Sequence, residues 1–204
     1  MDTINNINIQ ANLNQDDLDM AFRLVNYRLS ENESAPIEIV VCGGTSLILT
    51  GLVTRTTTDV DIVALAVENG LVSPDPLPEH LIVASREVAE DLGLHTSWLN
   101  NGPSRGEGGL FQMGLPDGLL SRTWTKNYGS HLTVHFIGRL DQIFFKLYAS
   151  VDRGGYHIED LTALSPTNCE IRAAVKWVTT HDVSYGFRLL LHRLLRDMGY
   201  EAID

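Results

Sequence analysis

Cysteine, basic charge and long apolar runs are all scarce in this chain, and each scarcity excludes something. The two cysteines, Cys42 and Cys169, stand far apart with no CxxC or other paired spacing. That pattern argues against a disulfide framework and for free thiols in a reducing compartment. The seven histidines include no HExxH or similar spacing, so zinc chemistry has no support. Lysine and arginine number 15 against 26 aspartates and glutamates, a net charge of −11. This balance argues against a broad nucleic-acid footprint and leaves room only for a local basic strip. No apolar run approaches the ~20 residues that a membrane span needs. The N-terminus is Asn-rich and acidic, without the basic and apolar regions of a signal peptide. A cytoplasmic protein with no membrane partner is expected. Neither GxGxxG nor a Walker A sequence occurs.

What the chain does have is material for a core: 204 residues at 44% hydrophobic suffice for one compact domain, or for a domain with a helical extension. Residues 1 to 15 are polar and expected to fray. Leu18, Phe22, Val25 and Leu29 fall at helical spacing, which predicts a first helix from Asp16 to about Ser30. Ile37 to Cys42 is apolar except for Glu38, as a buried strand would be. Thr45 to Leu52 predicts a short helix, Thr58 to Ala66 a strand, and Pro78 to Leu92 a helix after a Pro-rich connection. Asn100 to Gly118 holds six glycines and two prolines and reads as a long loop. Strands are predicted at Arg122 to Tyr128 and His131 to Ile137, then helices at Arg139 to Val151 and Ile158 to Leu164. Thr167 and Glu170 have capping-box spacing and open a helix to about Thr180; Ser184 to Met198 is the last. The fold expected is α/β of the α+β type, a mixed sheet with flanking helices. Its sheet half spans residues 1–138, and a helical C-terminal half, 139–204, packs with it as one unit.

Chemistry concentrates in Val41-Cys42-Gly43-Gly44-Thr45-Ser46-Leu47 and Arg55-Thr56-Thr57-Thr58-Asp59-Val60-Asp61-Ile62. A glycine pair at the end of a strand lets a phosphate approach the free N–H groups of the following helix start. In a strand, a period of two puts Asp59, Asp61 and Val63 on one face and Val60, Ile62 and Ala64 on the other. Two carboxylates on one face repel each other unless a cation lies between them, and such hard oxygens suit Mg²⁺ or Mn²⁺. Lys146 lies beside Phe144, Phe145 and Leu147, where a lysine either reaches out to solvent or points at a phosphate.

Taken together, these residues resemble the nucleotidyltransferase superfamily. The nearest likeness is to the branch of small bacterial proteins that includes abortive-infection toxin nucleotidyltransferases. The resemblance spans about residues 37–164 and continues in Trp98-Leu99-Asn100, Lys146-Leu147-Tyr148-Ala149, Arg153, His157, Asp160 and Leu161. It implies a mixed-sheet nucleotidyltransferase fold in which Gly43, Gly44, Thr45, Ser46 and Arg55 hold an NTP. Asp59 and Asp61 would bind Mg²⁺, and Lys146 would neutralise phosphate charge during transfer of a nucleotidyl group. The acceptor, whether tRNA, protein or small molecule, is not identified by sequence. The chain departs from the family at the third carboxylate, which a later strand usually supplies. The strand His131 to Ile137 offers His131 and His135 but no acid; Glu107, Asp117 or Asp141 would have to fold in.

Three readings follow. One is a metal-dependent nucleotidyltransferase. Another is a catalytically degenerate nucleotide- or partner-binding module, as in a toxin-antitoxin system with an antitoxin partner. The last is a phosphohydrolase using the same acid pair with water as acceptor. Arg188, His192 and Arg196 recur every four residues on the last helix, either as an RNA strip or as a solvated face. Trp98, Trp124 and Trp177 are expected in the core or at an interface.

Overall fold

The computed structural model describes residues 11–200. Helix α1 (Gln15–Glu31) is opened by a capping box in which Asn14 accepts from the backbone of Asp17 and the Asp17 carboxylate accepts from the N–H of Asn14. Strand β1 (Ile37–Cys42) runs directly into α2 (Gly43–Leu49). Strands β2 (Val60–Val67) and β3 (Gly70–Val72) form a hairpin, followed by α3 (Glu79–Leu92) and the two-residue β4 (Leu99–Asn100). After the short helix α4 (Leu110–Met113) come β5 (Trp124–Asn127) and β6 (Leu132–Phe136). Four helices complete the order: α5 (Arg139–Asp152), α6 (Tyr156–Leu164), α7 (Asn168–His181) and α8 (Tyr185–Asp197). The Thr167–Glu170 capping box is formed.

The sheet is mixed, in the order β3-β2-β1-β6-β5, with β4 on the outer edge of β2. Central β1 pairs antiparallel with β2 and parallel with β6. Helices cover both faces. On one side, Leu18, Phe22 and Val25 of α1 and Leu81 and Val88 of α3 pack on Ile39, Val41, Ile62 and Val134. On the other, Leu47 of α2 and residues of α5 to α8 pack on Val40, Cys42, Val63 and Ala64. Burial on both faces explains the unbroken apolar run of β1. The exception, Glu38, is exposed, and its carboxylate lies 2.7 Å from Nε2 of His135. Because the second cluster joins sheet residues to Ile143, Leu161, Val175 and Leu191, residues 139–200 share a core with the sheet. Among the described residues no helix is long and apolar enough to cross a membrane.

Three expectations are corrected. Val40 pairs with Ala64 but Val41 with Ile62, so a bulge leaves Val63 without a partner in β1. Ala64 therefore joins Val63 on the second face instead of following Ile62. The 100–118 segment is no open loop: the Ser104 hydroxyl donates to the carbonyl of bulged Val63 at 2.8 Å, and Asn101 Nδ2 donates to the Pro74 carbonyl at 2.9 Å. Leu13, expected to fray, is buried and pairs with Thr57; residues 1–10 of that expected frayed stretch lie outside the described residues.

Candidate functional site

The end of β1, the start of α2 and the start of β2 meet at a cavity of about 500 Å³, closed on its other sides by the 100–118 segment, α5 and the start of α6. Gly43 and Gly44 form its floor, and steric contact explains both. Gly43 has φ +68°, and a Cβ there would sit 2.9 Å from Oδ2 of Asp61. A Cβ on Gly44 would lie 2.8 Å from the Thr57 hydroxyl and 2.9 Å from Nη2 of Arg55. Gln142, buried on α5, donates to the carbonyl of Gly43 at 3.3 Å.

Asp59 and Asp61 both face the cavity. Asp59 sits one residue before β2, with Thr57 donating to its Oδ1 at 3.2 Å. Asp61 is half-buried on the strand; burial and the neighbouring charge of Asp59 push its carboxyl up to about 6, against the opposing influence of Asn100, Lys146 and Arg153. Cys42 beside it is fully desolvated, which holds its thiol well above the ordinary range. Both cysteines are free.

Three cations, Arg55, Lys146 and Arg153, line the same cavity. Lys146 of α5 is buried with its Nζ 2.7 Å from Oδ2 of Asp160. Arg55 grips the same carboxylate in bidentate fashion, Nε to Oδ1 at 3.0 Å and Nη2 to Oδ2 at 2.9 Å. Arg153 also lines the cavity and pairs with Asp152 at 3.2 Å. Buried His157 stands among these charges; burial first, then Lys146 and Arg153, lower its ring to about 4, so it is neutral. Tyr156 is 60% exposed at the cavity mouth. Its ring centroid is 5.5 Å from Nζ of Lys146 and 4.1 Å from that of His157.

Of the expected site residues, the structure brings Gly43, Gly44, Arg55, Asp59, Asp61 and Lys146 to one cavity. Thr45 and Ser46 are fully buried and do not border it. Their hydroxyls, expected at a phosphate, donate to the carbonyls of Asp59 at 2.7 Å and Ile137 at 3.0 Å, tying α2 to the acid segment and to the end of β6. Lys146 points neither to solvent nor freely into the cavity, because Asp160 holds it. None of the proposed substitutes for the third acid lines the cavity: Glu107 and Asp117 are exposed elsewhere, and Asp141 is buried in a bidentate pair with Arg122. The strand His131 to Ile137 corresponds to β6, which lies beside β1 and not beside β2. Asp61 is flanked by Cys42 of β1 on one side and by Asn100 of β4 on the other.

Sequence reasoning included Thr57 in the motif without a role and passed over Gln142 and Tyr156. Only Tyr156 carried a signal, since Gly154 and Gly155 immediately before it have φ +66° and +60° and turn the chain to present it at the mouth. The chain matches no family model, no curated protein and no solved structure.

Proposed function

We propose that this cavity binds a nucleoside triphosphate with Mg²⁺ or Mn²⁺, and that the protein is a nucleotidyltransferase acting on an acceptor hydroxyl. One observation carries the reading: the acids Asp59 and Asp61, the glycines Gly43 and Gly44 and the cations Arg55, Lys146 and Arg153 line a single cavity. A triphosphate with its divalent cation has the matching division of charge.

The donors fit the cation. Among the described residues no three His, Cys, Asp or Glu side chains converge as a complete metal site. Mg²⁺, however, is commonly held by one or two carboxylates and completed by substrate phosphates and water. Asp59 and Asp61 are that pair, and burial together with the charge of Asp59 raises the carboxyl of Asp61. When bound, the ion would neutralise phosphate charge and orient the triphosphate. Gly43 and Gly44 allow the phosphates close to the backbone. Lys146 and Arg55 supply the opposing positive charge, with Asp160 fixing their positions. Tyr156 offers a ring face to the base. In the reaction the acceptor oxygen bonds to the α-phosphorus, the bond to pyrophosphate breaks, and the acceptor proton passes to solvent or to a base on the acceptor.

A second reading, binding without turnover, is favoured by Asn100, an amide where a further acid would stand beside Asp61. Such a module would serve a nucleotide or a protein partner, an antitoxin among the candidates. Incubation with each α-labelled NTP, Mg²⁺ or Mn²⁺ and a cell extract separates the two. Label transferred to an acceptor by the wild type, and lost in Asp59→Asn and Asp61→Asn, supports the enzyme. Binding with no transfer supports the module, and phosphate release with no transfer points to a hydrolase.

A further inference from the structure

Between α7 and α8, away from the cavity just described, runs a groove of about 450 Å³. Arg172 and Lys176 stand on the α7 side, Arg188 and His192 on the α8 side, with Val175, Leu191 and Leu195 beneath. Each pair is spaced four residues apart, so the polar side chains of a rim repeat at about 6 Å along the helix. Arg196 extends the α8 rim by a further turn. Seven of the 15 lysines and arginines, among them Arg28, Arg55, Arg122, Lys126 and Arg139, are in ion pairs with acids. Among the described residues, neither the three groove cations Arg172, Lys176 and Arg188 nor the adjoining Arg196 is in an ion pair. The adjoining crown of α8 is apolar: Tyr185 and Leu189 are each more than half exposed, as is Val183 just before the helix.

We propose that this groove and crown form a docking surface for an acidic amphipathic helix of another protein. The basic rims match carboxylates on the flanks of such a helix, and the crown matches its leucine face. Nucleic acid fits less well. A strand carries one charge per ~3.4 Å, closer than the ~6 Å repeat of the rims, and would leave the crown uncovered. A second copy in two-fold contact would set these cations against themselves.

The test is fluorescence anisotropy on the full chain with three labelled probes. One is a helical peptide of about 18 residues, ~five turns, with a leucine face and glutamate flanks; the others are its lysine-flanked counterpart and a single-stranded RNA. The proposal expects saturable binding of the glutamate peptide, weakened about tenfold between about 50 and 300 mM salt. It expects a similar loss in Arg172→Glu/Arg188→Glu and no binding of the lysine peptide. Circular dichroism checks the fold of that variant, and the milder Arg188→Ser/His192→Ser replaces it if needed. Tighter binding of RNA, equal binding of both peptides, no binding of the glutamate peptide or wild-type affinity in a folded variant would overturn the proposal. Self-association in sedimentation that disappears in the variant would also overturn it, by making the occupant a second copy.

Discussion

Nζ of Lys146 stands 2.7 Å from Oδ2 of Asp160, with 5% of each side chain exposed, and Arg55 holds the same carboxylate. Removing the carboxylate charge strands a buried ammonium, whereas removing the ammonium leaves Asp160 still gripped by Arg55. Asp160→Asn should therefore cost about 3 kcal/mol of stability, and Lys146→Met distinctly less. Urea unfolding of the two variants checks the order; equal losses would mean that the three groups do not act as one cluster.

Asp61 gives a pH signature in metal-free protein. Its folded pKa of about 6 lies above its ordinary 3.8, so between those values the folded chain binds more protons than the unfolded one. Stability must therefore fall as pH rises through this window, by at most about 3 kcal/mol from this group. The difference between wild type and Asp61→Asn, followed by urea midpoints across the window, should show the variant gaining as pH rises. Mg²⁺ should restore the wild type above pH ~6 by binding only the folded acid pair. A flat difference curve would place Asp61 in water.

Gly44→Val tests the floor. The branched side chain must displace Thr57 and Arg55, whose atoms already occupy the space, and it would also hold a phosphate away from the start of α2. Calorimetry should show NTP affinity down by about tenfold or more. Wild-type affinity would place the phosphates elsewhere.

Asn100→Asp adds a carboxylate beside Asp61. Three acids repel more strongly without metal and bind it better, so the variant should be less stable in chelator and take up Mn²⁺ about tenfold more tightly. Unchanged Mn²⁺ affinity in calorimetry would show that position 100 does not face the metal.

Tyr156→Ala should weaken NTP binding by about 1–3 kcal/mol while leaving inorganic tripolyphosphate unaffected, because stacking involves only the base. Tyr156→Phe should keep the wild-type values. A parallel loss for both ligands would assign the ring to shielding Lys146 instead.

Most helices were legible because their apolar spacing or caps are local facts; Thr167 and Glu170 alone open α7. The two sheet errors have a common origin in pairing. Nothing within Val60–Val67 marks Val63 as the bulge, since that depends on where β1 lies against it. Likewise Leu99–Asn100 is too short for any periodicity and becomes a strand only by lying along Val60 and Asp61. At the site, the glycine pair and the acids were readable because two adjoining segments carry them. Three features needed the folded chain: the clamp of Asp160 on Lys146 and Arg55, the turning away of the Thr45 and Ser46 hydroxyls, and the position of Asn100.

Arg55 and Asp160 are 105 residues apart in sequence. A ribosome that has completed the glycine turn and both aspartates has yet to make the helices that carry Lys146, Arg153 and Asp160. Until α5 and α6 dock, Arg55 lacks its partner Asp160 and the acids lack the balancing charges of Lys146 and Arg153. Cleavage between the two halves followed by their separation would return it to that condition. The proposed nucleotide binding would thus wait on α5 and α6, and retention of a nucleotide would report that both helices are joined to the sheet.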